Sequence, residues 1–178
     1  RTAFSGPAPW DPYRPISPLP ANRDFDSALF VTVIGESVYF GSSVTDSVHC
    51  LNIYSGSQKW FYRTNGAVRF PPCHYNDNLY FGSDDGYVYC VNAADGSLVW
   101  KINTSEKFGV VQNFFGVGST PAIEENLVIV QVGGSPPSSQ RVAPGQLDQV
   151  VGNGSGIVAF DKYTGNVRYQ ISDELASY

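Results

Sequence analysis

Leu79-Tyr-Phe-Gly-Ser-Asp-Asp-Gly-Tyr-Val-Tyr-Cys-Val-Asn-Ala-Ala-Asp-Gly-Ser-Leu-Val-Trp100 decides the fold, because the chain contains it more than once. Forty-one residues before its start stands Val38-Tyr-Phe-Gly-Ser42, and forty residues before its second half stands Val48-His-Cys-Leu-Asn-Ile-Tyr-Ser-Gly-Ser-Gln-Lys-Trp60. Cys50, Asn52, Gly56 and Trp60 match Cys90, Asn92, Gly96 and Trp100, each pair 40 positions apart (90−50, 92−52, 96−56, 100−60). A looser third copy begins at Leu127-Val-Ile-Val-Gln-Val-Gly-Gly134 and ends in Val158-Ala-Phe-Asp-Lys-Tyr-Thr-Gly-Asn-Val-Arg-Tyr169. There Ala159, Asp161, Gly165 and Tyr169 take the four marked places, after about twenty extra residues.

A period near 40 with four short strands per unit is the pattern of a propeller blade. In the second copy the expected strands are Arg69–Tyr75, Leu79–Gly82, Tyr87–Asn92 and Leu98–Ile102. Asn76-Asp77 fills one tight turn, and Tyr54-Ser-Gly, Ala94-Asp-Gly and Tyr163-Thr-Gly place glycine where a hairpin needs positive φ. No window shows sustained helical periodicity. The expected fold is all-β: a β-propeller arc of about three four-stranded antiparallel blades, its ring incomplete in this chain. The expected divisions are a Pro-rich N-terminal extension over 1–26, blade 1 over 27–64 and blade 2 over 65–104. A connecting loop covers 105–118, blade 3 covers 119–172 with an insertion at 134–155, and 173–178 is a tail or the start of a further blade.

Composition narrows the function. A formal charge of −5, without a Lys/Arg run, argues against a nucleic-acid partner. No stretch is long and apolar enough to span a bilayer as a helix. Arg1–Pro20 lacks the apolar centre of a signal peptide. The three cysteines fit no zinc spacing, and Cys50 and Cys90, at equivalent places in neighbouring blades, are expected as free, buried thiols. Cys73 is also expected free.

The run Cys50-x-Asn52-x-x-x-Gly56-x-x-x-Trp60, repeated at Cys90–Trp100 and Ala159–Tyr169, resembles the tryptophan-docking repeat of PQQ-repeat (quinoprotein alcohol dehydrogenase-like) propellers. That family has Ala-x-Asp-x-x-x-Gly-x-x-x-Trp, so cysteine replaces alanine twice, asparagine replaces aspartate twice and tyrosine replaces tryptophan once. The resemblance spans Ser27 to Ile171 and implies seven or eight blades in the complete ring. It also implies a bacterial, extracytoplasmic or periplasmic protein. Its partners would be further propeller blades, supplied by other chains or missing segments, and a protein or small ligand on the top face. In this reading the twelve repeat residues are structural, with Trp60, Trp100 and Tyr169 as wedges between blades. The flanks Arg1–Arg23 and Leu175–Tyr178 are candidates to cover the open blade faces.

Antiparallel order puts the turns at Gly56, Gly96 and Gly165 at one end, the bottom. The segments Ser42–Ser47, Thr64–Val68, Asp84–Gly86, Asn103–Gly118 and Gly134–Ser155 fall at the top. Long loops often carry function, and Arg69, Gln112, Asn113 and Arg141 are the candidate ligand rim. Catalytic residues, metal ligands and cofactors are not evident; PQQ with Ca²⁺ enters only through the resemblance. The adjacent cysteine pair found in many quinoprotein dehydrogenases is absent. Asp84-Asp85 reads as a turn before Gly86. Asn153-Gly-Ser155 matches a glycosylation acceptor, and Gly152-x-Gly154-x-Gly156 is a glycine-rich run outside a helix-start context. The leading functional reading is a non-catalytic binding or scaffold module. The alternative is part of a PQQ-dependent oxidoreductase whose catalytic residues lie outside this chain.

Overall fold

A computed structural model describes residues 30–111, 119–140 and 150–175. It contains three four-stranded antiparallel sheets, each an uninterrupted meander. The first holds β1 (Val31–Ile34), β2 (Ser37–Ser42), β3 (Ser47–Asn52) and β4 (Gln58–Arg63). The second holds β5 (Cys73–Tyr75), β6 (Asn78–Gly82), β7 (Tyr87–Asn92) and β8 (Leu98–Asn103). The third holds β9 (Ala122–Glu124), β10 (Leu127–Gln131), β11 (Ile157–Asp161) and β12 (Val167–Ile171). These are the blades of the expected arc, and the first strands converge: Thr32 Oγ1 donates to Pro72 O (2.7 Å), and β5 touches β9.

The period-2 alternation of a strand explains why the blades stack. In the middle blade, Leu79, Phe81, Tyr89 and Val91 face the first blade, where they bury Tyr39, Val48, Cys50 and Trp60. Tyr80, Val88, Cys90 and Trp100 face the third blade and pack on Val128, Val130, Val158 and Phe160. Both faces of the middle sheet are therefore core, which accounts for its near-continuous apolar strands.

Two expectations need correction. β5 begins at Cys73, not Arg69, because Pro71-Pro72 offers no N–H groups to a ladder. The segment assigned as a connecting loop opens with a short helix, α1 (Thr104–Phe108). Its five residues are too few to show a period. It forms because Asn103 caps it, Oδ1 accepting from Glu106 N–H (2.9 Å), and Gly109 ends it in the left-handed region at φ 68°.

Candidate functional site

The repeated hairpin residues meet in one geometry. At β3–β4, Cys50 lies directly across from Trp60, and a bulge follows at Lys59. Cys90 faces Trp100, and Ala159 faces Tyr169, with the same register shift. Asn52, Asn92 and Asp161 then start the turn. Each side-chain oxygen accepts backbone N–H groups two or three residues on: Tyr54 and Ser55, Ala94, and Tyr163 and Thr164. The chain closes through Gly56, Gly96 and Gly165, at φ 67°, 74° and 71°. An Asn or Asp is needed for the side-chain acceptor and a Gly for the positive φ.

The turn of one blade receives the ring of the blade before it. Trp60 Nε1 donates to Ala93 O (3.1 Å), and Trp100 Nε1 donates to Lys162 O (2.9 Å). Each carbonyl takes a second donor from the same preceding blade, Tyr39 OH (3.1 Å) or Tyr80 OH (3.2 Å). The indole lies so close that a Cβ on Gly96 would stand 2.6 Å from Trp60 Cε3. Tyr169 is 41% exposed. Sequence reasoning gave Tyr39 and Tyr80 no role, although both sit in the Tyr-Phe-Gly-Ser runs. Lys162 also escaped notice; it is buried, with Nζ donating to Glu125 O and 3.7 Å from the Tyr75 ring centroid.

At the opposite end the loops form a continuous wall. Thr64 N–H donates to Asp46 O, and Ser83 Oγ donates to Gly66 O. Thr104 N–H and Oγ1 both donate to Gly86 O, and Ser135 N–H donates to Gly109 O. Asn153 Nδ2 donates to Phe108 O (2.8 Å), while Ser155 is fully buried with its hydroxyl accepting from Gly134 N–H. The glycosylation-like tripeptide is thus packed into the blade 2–3 junction. The glycine run beside it admits the C-terminal backbone: a Cβ on Gly152 would strike Asp173 O at 2.0 Å.

Of the candidate rim residues, Arg69 lies in this wall, between blades 1 and 2; Gln112, Asn113 and Arg141 are outside the described residues. Arg69 Nε meets Asp84 Oδ2 at 2.6 Å, with side-chain exposures of 12% and 8%. The other oxygen, Asp84 Oδ1, is buried without a hydrogen bond. Desolvation raises the Asp84 pKa; Arg69 opposes this, and Asp85 and Asp46 add to it. Asp85 is used locally: Oδ1 accepts from Tyr87 N–H (3.1 Å), and Oδ2 from Asn65 N–H (3.0 Å) and Tyr89 OH (2.6 Å). Sequence reading missed the ion pair because Arg69 and Asp84 belong to loops 15 residues apart.

The raised folded pKa fixes a pH dependence. Between the unfolded and folded values the native state holds more proton, so stability is greatest below the unfolded pKa and falls as pH rises through the folded one. Replacing Asp84 with Asn removes this component. We expect the stability of the wild type relative to Asp84→Asn to decline from pH 4 to pH 7. Urea midpoints across that range measure it; a difference that grows with pH would contradict the assignment.

Comparison with known proteins places this architecture. Residues 16–174 match the family pattern described as outer membrane protein assembly factor BamB. The chain belongs to this family of PQQ-repeat propellers. A BamB from Moranella endobia (strain PCIT) is 28% identical over 109 residues, which are 61% of this chain and 27% of that protein. The chain therefore spans about a quarter of that relative. Among solved structures, BamB from Moraxella catarrhalis superposes with a TM-score of 0.56 at 17% identity, over 81% of this chain and 36% of that one. Quinohemoprotein alcohol dehydrogenase from Comamonas testosteroni gives 0.57 at 19% identity, over 78% and 20%. These structural likenesses carry the fold.

The same fold is thus found in an assembly factor and in dehydrogenases, and the residues themselves must be asked whether they suit a quinone with Ca²⁺. A calcium cage needs six or more oxygens converging on one point. Asp85 spends both oxygens on neighbouring donors, and Asp84 faces a guanidinium. Among the described residues no group of three His, Cys, Asp or Glu side chains has metal-holding geometry. These carboxylates do not fit the calcium site, and PQQ rests on family resemblance alone.

Proposed function

We propose that this BamB-family chain is a non-catalytic propeller segment that acts as a binding or scaffold unit for protein partners in an extracytoplasmic, periplasmic setting. The observation that carries this reading is how the polar side chains between blades 1 and 2 are used. Arg69, Asp84, Asp85, Ser83 and Thr64 bond to one another or to neighbouring loop backbone, so they are spent on holding the crossing from blade 1 against the β6–β7 loop. Among the described residues, exposed apolar side chains lie on both end blades: Val31, Val33 and Phe61 on blade 1 are 57%, 52% and 52% exposed, and Tyr169 and Ile171 on blade 3 are 41% and 53% exposed. Apolar surface of this kind suits further blades or a protein partner. The repeat residues from Cys50 to Tyr169 serve the scaffold as the tryptophan-docking frame. A small ligand on the top face is the lesser role.

Titration of the chain with PQQ and Ca²⁺, followed by a dye-reduction assay with a primary alcohol, tests this. The expected result is neither saturable quinone binding nor dye reduction. Stoichiometric binding with turnover would overturn the reading in favour of an oxidoreductase.

A further inference from the structure

An asparagine or aspartate before a glycine is open to attack by its own backbone. The glycine nitrogen bonds to the side-chain carbonyl carbon and closes a cyclic imide, and a residue without Cβ lets the two approach. Four such steps occur: Asn65-Gly66, Asp85-Gly86, Asp95-Gly96 and Asn153-Gly154. The attack needs a glycine N–H and a side chain that are not already committed. Three of the steps fail on both counts. Gly86 N–H donates to Ser83 O, Gly96 N–H to Asn92 O and Gly154 N–H to Asp173 Oδ1. Asp85 accepts from Tyr87 N–H and Asp95 from Ser97 N–H, while the Asn153 amide is held by Phe108 O and Ser155 Oγ. At Asn65-Gly66 neither the side-chain amide nor the Gly66 N–H has a hydrogen bond within the described residues, and Asn65 is exposed.

We infer that Asn65 is a site of spontaneous deamidation and that its conversion loosens the crossing from blade 1 to blade 2. Gly66 N bonds to Asn65 Cγ, the Cγ–Nδ2 bond breaks, and ammonia leaves with the proton of the Gly66 N–H. Water then opens the imide at either carbonyl. One opening yields aspartate; the other yields isoaspartate, with the main chain routed through the former side chain. Both place a carboxylate on the residue whose N–H donates to Asp85 Oδ2 (3.0 Å), and like charges this close repel. Isoaspartate also inserts a methylene into the main chain, where there is no slack. Gly66 O accepts from Thr64 Oγ1 (2.7 Å) and Ser83 Oγ (3.0 Å), and a Cβ on Gly66 would stand 2.5 Å from Asp85 N. The bonds displaced are those that hold the crossing against the β6–β7 loop.

Incubation of the full chain in mildly alkaline buffer, with samples digested and mapped by mass spectrometry, tests the assignment. The Asn65 peptide should gain the mass of an amide-to-acid exchange and split into two chromatographic species, aspartate and isoaspartate. Its conversion should outpace that at Asn153 by about tenfold or more, because three hydrogen bonds must open there first. Asn65→Gln, whose longer side chain would have to close a larger ring, should resist conversion. Ageing should lower the urea midpoint of the wild type and leave that of Asn65→Gln in place, and fresh Asn65→Asp should already show part of the drop. An Asn65 that stays intact in the folded chain would overturn the inference, as would equal rates at Asn65 and Asn153. A converted wild type with the midpoint of fresh protein would overturn the claim that the crossing loosens.

Discussion

Gly96→Ala is expected to lower stability by about 2–5 kcal/mol, the sum of a left-handed backbone cost and overpacking. Gly96 has φ 74°, and the added methyl would stand 2.6 Å from Trp60 Cε3 and 2.8 Å from Cδ2. Those atoms belong to a rigid ring held by its N–H on Ala93 O, so the ring cannot retreat without losing that bond. Gly35→Ala is the control. It shares a positive φ, 54°, but has nothing within 4 Å, so only the backbone cost of about 1–2 kcal/mol remains. Urea denaturation of both variants measures the difference. Equal losses would mean that the indole adapts and the contact contributes little.

Trp100→Ala is expected to cost about 3–5 kcal/mol, the range for removing a large aromatic from a core. The ring packs against Tyr80 at 5.9 Å between centroids and against Gly165, and its N–H reaches Lys162 O. The loss should also change the shape of the transition. Repeat proteins hold together through nearest-neighbour interfaces, and this substitution weakens only the one between blades 2 and 3. Denaturation followed by far-UV circular dichroism should broaden or split as the third blade melts first. Trp100→Phe should recover most of the loss and keep a deficit of about 0.5–1.5 kcal/mol for the missing hydrogen bond, since Tyr80 OH still serves the carbonyl. A sharp single transition in Trp100→Ala, at the wild-type midpoint, would remove the indole from the list of inter-blade contacts.

Much of this architecture was readable in advance because the residues that shape it act locally. Asn92 must accept N–H groups from its own turn, Gly96 must take positive φ, and strands of period 2 must bury alternate side chains. All three demands show within a dozen residues. What escaped the reading depends on partners from distant sequence. The Arg69–Asp84 pair forms only once two loops are stacked, and the fate of Asn153 is set by Phe108, 45 residues away, and that of Ser155 by Gly134. β5 is shorter than expected because Pro71-Pro72 has no N–H to give to a ladder. The Tyr39 and Tyr80 hydroxyls left a signal that could have been used: each sits one residue before Phe-Gly-Ser, 41 positions apart (80−39), a polar atom on an otherwise apolar strand.

The attachments between neighbouring blades lie at two opposite rims. Ring-to-carbonyl docking holds the bottom, and bonds such as Val68 N–H to Ser42 O and Asn153 Nδ2 to Phe108 O hold the top. A sheet pinned at one rim could swing like a door; one pinned at both cannot pivot about either. Each blade therefore keeps a fixed pitch and tilt to the next, and the arc behaves as a ruler. An elongated partner laid across successive blades would meet its contacts at set intervals, so changing the length of that partner between contacts should matter as much as changing the contacts themselves.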